Sequence, residues 1–153
     1  MVVGVGESGS SSAALAWSLD LCRRRGWLLD VVTAWPDVGQ VPVHEVPGHY
    51  CLPRGRAVAA LDAALAACGV GPHDPDVVVE VVNDDPVRAL ARRSRGAEVL
   101  VLGASANGRS RRAGYERVSD SCRVRSSCPV VVVDHTSGGS ATRGQPPAAT
   151  GSP

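Results

Sequence analysis

Three groups of residues in this chain have the types and spacing to do chemistry. The first is Gly6-Glu7-Ser8-Gly9-Ser10, a Gly- and Ser-rich turn placed directly after an apolar opening run. Peptide N–H groups in such a turn can grip a pyrophosphate, and a serine on a sharp strand-to-helix turn can act as a nucleophile. Neither pattern is complete. There is no G-x-S-x-G, no basic or acidic partner for a pyrophosphate, and only His135 stands near a triad position after a later strand. Helix capping accounts for these serines better. The second group is His44, Glu45, His49 and Cys51, all zinc-type ligands crowded into one segment. Their spacing matches no common zinc motif, so the segment reads as a variable surface loop and no metal is expected. The third group is arginine: Arg92, Arg93 and Arg95, then Arg109, Arg111 and Arg112. Without interleaved aromatics these read as a solvated helix end and loop, so no nucleic-acid partner is expected.

Composition narrows the choice further. The chain has 153 residues, enough for one domain with its own core, and its net charge is +1. No global field therefore recruits nucleic acid or an anionic membrane. All sixteen basic residues are Arg, which reads as compositional bias rather than phosphate-binding design. Hydrophobic residues make up 44% but aromatics only 3%, with no Phe, so the core must be built from Val, Leu and Ala. The five cysteines, Cys22, Cys51, Cys68, Cys122 and Cys128, form no C-x-x-C. Cys22, Cys68 and Cys122 fall on helical patterns, where a buried reduced thiol is expected; Cys128 precedes a proline at a strand start, where packing is its expected role. No apolar run reaches the roughly 18 residues a membrane span needs. No targeting segment is read at the start, and the cytoplasm is the expected compartment.

The elements that must position these residues alternate. Met1–Val5 reads as a strand, and Ala14, Leu15, Trp17, Leu19 and Cys22 mark a helix stopped at Arg23-Arg24-Arg25-Gly26. Trp27–Trp35 is a second strand, 36–53 a Pro-rich loop, and Arg54–Cys68 a second helix through Val58, Leu61 and Leu65. Val77–Val82 is a third strand, and Asp84-Asp85-Pro86 opens a third helix with Pro in its first turn. Val99–Leu102 is a fourth strand ending at Gly103, 104–114 a polar loop, Tyr115–Arg125 a fourth helix and Pro129–Val133 a fifth strand. Strands that are continuously apolar and alternate with helices predict an α/β fold: a three-layer, doubly wound, five-stranded parallel sheet with about four helices. The domain is expected over 1–134. Residues 135–153, rich in Gly, Ser and Pro without periodicity, read as a disordered tail.

These pieces, in this order, resemble the universal stress protein family, of the single-domain universal stress protein A-like kind. Val2-Val3-Gly4-Val5-Gly6-Glu7-Ser8 is similar to the family's V-V-G-V-D-G-S, and Val81-Val82-Asn83-Asp84-Asp85-Pro86 to its V-x-x-G-x-P turn. The most specific part is Ala97–Gly103 followed, at the family's spacing, by Ser127-Cys128-Pro129 and Val130–Val133. The resemblance implies that a nucleotide would meet Val5, Gly6, Ala34, Gly103, Ser105, Ala106, Arg117, Val118 and Ser119. ATP-binding members carry G-x-x-G, nine residues, then G-[ST] after the fourth strand, so that bare peptide N–H groups close on phosphate. Here the series reads Gly103, Ala106, Glu116, Arg117, and the family's acidic residue after the first strand is Gly6, with Glu7 one place out of register.

Glu116 is the decisive departure. A carboxylate beside a triphosphate repels it by about 1–4 kcal/mol at about 4 Å. Losing a hydroxyl contact to a charged group costs about 1.5–3 kcal/mol more. Together these could weaken binding by about two orders of magnitude or more. Arg117 and the Arg-rich loop could instead hold phosphate by side-chain forks. The expected function is a regulatory or binding module of stress response, not an enzyme, with no cofactor. The alternative is an ATP- or AMP-binding sensor or weak ATPase that uses Arg117. The resemblance further implies a homodimer through Val130, Val131, Val132 and Val133, and a short apolar edge strand seeking a partner argues the same way.

Overall fold

A computed structural model of the chain describes residues 1–35, 51–71, 73–104, 118–134 and 141–144. Its elements run β1 (Val2–Gly4), α1 (Gly9–Arg25), β2 (Leu29–Trp35), α2 (Leu52–Ala67), β3 (Val77–Asn83), α3 (Pro86–Arg93), β4 (Leu100–Gly103), α4 (Val118–Arg125), β5 (Val130–Val133) and β6 (Ala141–Gly144). The sheet order is β3-β2-β1-β4-β5-β6. The first five strands are parallel, in the doubly wound order the apolar runs predict.

Alternation along the strands builds two cores, one on each sheet face. Val3, Val5, Leu29, Val31, Val101, Val131 and Val133 meet Ala14, Leu15, Leu19 and Cys22 of α1 and Leu61 and Ala64 of α2. Val2, Val32, Leu100, Leu102 and Val130 meet Leu90 of α3, Cys122 of α4 and Cys128. β1 and β4 are the central strands and their described valines and leucines are buried, as continuous apolar runs require. The absence of Phe is met by small helices: Ala14, Ala57, Ala64 and Ala89 let the layers approach closely.

Three expectations are corrected. Segment 135–153 was expected to be disordered, but Ala141–Gly144 forms a sixth strand antiparallel to β5, pairing Val130 with Gly144 and Val133 with Ala141. Its cause is the edge itself: β5 presents a row of free peptide groups, and a chain only a few residues beyond can turn back to satisfy them. The homodimer expected through Val130–Val133 would therefore require β6 to be displaced. Second, α2 begins at Leu52, before Pro53, because a proline in the first helical turn gives up an N–H that has no helical partner. Third, the serines before α1 do not cap it: Ser8 holds the N-cap position without a side-chain cap bond. The helix stop at Gly26 is as expected, left-handed at φ 64°, and its N–H reaches Cys22 O.

Charge fixes the start of α3. Asp85 caps the helix by accepting from Arg88 N at 2.9 Å. Asp84, nearly buried, takes Arg88 Nε and Arg92 Nη1 and accepts from Asp85 N at 2.8 Å. The Arg88 hydrogen bond holds the Asp84 carboxyl below its usual value, against a burial that acts the other way. Because the folded pKa is depressed, the stability this gives is present above about pH 4 and is lost as pH falls through the folded value. Urea unfolding from pH 7 to pH 3 should show this loss, and Asp84→Asn should be less stable at pH 7 and show a shallower acid dependence.

Candidate functional site

The strand order reverses between β1 and β4, and this is where open α/β sheets leave a crevice beyond their carboxyl ends. Of the residues expected to meet a nucleotide, Val5, Gly6, Ala34 and Gly103 surround this switch point, at the ends of β1, β2 and β4. Val118 and Ser119 open the described part of α4, Val118 exposed and Ser119 half-buried. Ser105, Ala106 and Arg117 lie outside the described residues, as do Glu116, Arg109, Arg111 and Arg112. His44, Glu45, His49 and His135 lie outside them too, and Cys51 is half-buried at the N-cap of α2. Among the described residues no group of His, Cys, Asp and Glu could hold a metal ion.

The rim of the crevice is tied by hydroxyls. Thr33 is fully buried, and its Oγ1 donates to Val5 O at 3.1 Å, joining the ends of β1 and β2 beside their backbone bond from Val5 N to Val32 O. Ser11 Oγ accepts from Gly6 N at 3.0 Å, while Ser8 Oγ lies 3.1 Å from both Ser10 Oγ and Ser11 Oγ. Ser10 Oγ donates to the carbonyl of Ala104, just past β4. The serines assigned to capping thus stitch the first turn of α1 to β1 and β4. Sequence reasoning missed Ser10, Ser11 and Thr33 as site residues; the available signal was a lone hydroxyl, Thr33, inside the apolar run of β2.

Gly103 and Gly6 differ sharply in the room around them. A Cβ on Gly103 would stand 2.6 Å from both C and O of Ser10. A Cβ on Gly6 would meet no atom of the described residues within 4 Å. Gly103 is required by packing of α1 on β4. Gly6 leaves open space where the family pattern places a carboxylate.

The remaining candidates have structural explanations. Arg92 pairs with Asp84, and Arg93 with Asp30 and Glu80, so two of the three helix-end arginines are balanced by acids within the domain. Cys22, Cys122 and Cys128 are buried and free, and Cys51 and Cys68 are half-buried and free. Burial raises the thiol pKa of Cys22, Cys68 and Cys128 and pushes that of Cys122 up to about 11. Thiols held protonated in this way are poor nucleophiles at neutral pH.

This geometry defines a class: a doubly wound α/β domain whose switch point is rimmed by glycines and hydroxyls. The chain belongs to the universal stress protein family, whose family model, described as "Universal stress protein family", matches residues 1–134. Universal stress protein Rv2005c of Mycobacterium tuberculosis is 33% identical over 141 residues, which cover 87% of this chain and 47% of the relative. The chain spans about half the length, or less, of the curated relatives it matches. Among solved structures, universal stress protein UspA from Lactobacillus plantarum superposes with TM-score 0.65 at 17% identity, covering 86% of this chain and 95% of that one. A universal stress protein in complex with cAMP superposes with TM-score 0.58 at 26% identity, covering 89% and 95%. A third, from Archaeoglobus fulgidus in complex with dAMP, has TM-score 0.61 at 16% identity, covering 86% and 94%. Among the described residues no helix is long and apolar enough to cross a membrane.

Two measurements test this site. Gly103→Ala should destabilise by about 1–3 kcal/mol, read as a lower urea midpoint at unchanged m-value, because the contact is with backbone that cannot rotate away. In native protein at pH 7.5, Cys122 should resist a thiol reagent until unfolding, with Cys51 labelled well before it.

Proposed function

We propose that this chain is a non-catalytic binding module of stress response whose switch-point crevice has lost high-affinity ATP binding. The observation that carries this reading is the open space at Gly6. The end of β1 has room for an acidic side chain and offers none. The sequence adds the second half: Glu116 and Arg117 stand where ATP-binding members place bare peptide nitrogens and a small alcohol. The cAMP and dAMP complexes of similar proteins make an adenine nucleotide the ligand class to test. The second reading, a nucleotide sensor or weak ATPase gripping phosphate through Arg117, rests on the arginines of 109–117.

A thermal-shift and calorimetry series with ATP–Mg²⁺, AMP and cAMP separates the two. The protein as purified should carry no nucleotide and show no ATP binding below about 100 μM. The triple variant Gly6→Asp, Glu116→Gly, Arg117→Ser should gain at least about tenfold in ATP affinity, since it restores the acidic contact and removes the repulsion. A stoichiometric co-purified nucleotide, or a wild-type affinity that falls on Arg117→Ala, would establish the sensor reading instead.

A further inference from the structure

β5 is an outer member of the parallel set, and the ladder fixes which of its groups face away from β4. Leu100 N donates to Pro129 O and Ala104 N to Val133 O, with Leu100 aligned to Val130. The peptide groups of Val131 and Val133 therefore face β4, and those of Val130 and Val132 face outward. β6 meets both. It sets Gly144 opposite Val130 and Thr142 opposite Val132, so these are the pairs that exchange hydrogen bonds in the antiparallel ladder. Arg143 stands opposite Val131 and Ala141 opposite Val133, the pairs that exchange none. β6 is also additional to the domain that closes the core. The family model ends at residue 134, and the two described cores draw on residues 1–133.

We propose that β6 is an autoinhibitory strand, which occupies the β5 edge and closes it to pairing with other chains. Val130–Val133 is an uncharged run with neither proline nor glycine, so its composition gives the edge no defence of its own. The defence comes from the chain beyond the domain. Residues 134–140 are the tether between the two strands. A tether this short holds β6 at an effective concentration of the order of mM, about a thousandfold above a competing chain at about 1 μM. β6 thus wins the edge by proximity, although only Thr142 among its four residues favours a strand. A cap held by its tether and a few ladder bonds is also one that opens locally without unfolding the sheet. The β5 edge is therefore latent: closed in the resting chain, and available when β6 is lost or displaced. This closure is independent of the nucleotide reading above.

Two prolines placed in the full chain separate the cap from its neighbour. Thr142→Pro removes an N–H that donates to Val132 O, whereas Arg143→Pro removes one that faces away from β5. In sedimentation from about 1 to 100 μM, Thr142→Pro should gain mass with concentration relative to both the wild type and Arg143→Pro. Its far-UV circular dichroism spectrum should be unchanged. Hydrogen exchange reads the edge directly, and in the wild type it needs no variant: the amides of Val130 and Val132 should be protected equally at every concentration. In Thr142→Pro they should lose at least about tenfold in protection when dilute and regain it as mass rises. Val131 and Val133, bonded to β4, should stay protected throughout. Wild-type protection of Val130 and Val132 that depends on concentration would show an open edge and overturn the proposal. So would a Thr142→Pro that keeps both amides as protected as in the wild type, or one that frees them yet gains no mass up to about 100 μM.

Discussion

The head of α1 lies so close to the end of β4 that residue 103 can carry no side chain. This contact, Ser10 backbone against Gly103 with the Ser10 hydroxyl on the next carbonyl, fixes the layer spacing at the one place where the sheet changes direction. α1 follows β1 in sequence yet packs across β4, and that placement is what a right-handed parallel crossover demands. Much of the rest depends on it. The alanine-rich face of α1 reaches the sheet because nothing larger than glycine intervenes, and a core without Phe can close because its layers sit near together.

The same closeness shapes the crevice. Its rim is made of peptide groups already partnered: Ala104 O by Ser10, Gly6 N by Ser11, Val5 O by Thr33. A ligand arriving here finds few free donors among the described residues and must be held by side chains or by the loop between β4 and α4. This gives a physical sense to substitutions at Gly6, Ala106, Glu116 and Arg117. A side chain at residue 6 would press on no described atom, whereas one at residue 103 would strain the fold. Change is cheap at Gly6, which no described atom crowds, and costly at Gly103, which packs against Ser10.

The fold was legible because its signal is redundant. Five apolar runs alternating with amphipathic stretches, Gly26 after three arginines, and Pro86 after Asp85 each mark an element independently. The site was legible only in part. Gly103 and Gly6 could be located by their offsets from strands, but not their opposite roles, since a glycine carries no sign of what a Cβ would strike. The serines were misassigned for a related reason. Ser8 sits at the N-cap position, but the decisive bond runs from Ser10 to a residue 94 positions away. No local pattern encodes a contact of that separation. β6 was missed because Ala141–Gly144 carries a single strand-favouring residue, Thr142: it is a strand by virtue of the edge it meets, an instance of tertiary context overriding propensity.

That capture of β6 bears on how the sheet meets other molecules. Two strands entered the sequence reading as similar valine runs, Val130–Val133 and Val77–Val82, and only the first was taken for an edge. The strand order makes both of them outer members of the parallel set, but their surroundings differ. β5 has Val130, Val131 and Val133 buried and a partner strand supplied from its own chain. β3 has no described strand on its outer side and keeps Val78 and Val79 exposed, with Glu80 as its sole charge. The outer peptide groups of β5 are met by its own chain, whereas no described strand meets the outer side of β3. Among the described residues the unpaired edge of the sheet therefore lies at β3, on the side away from β5.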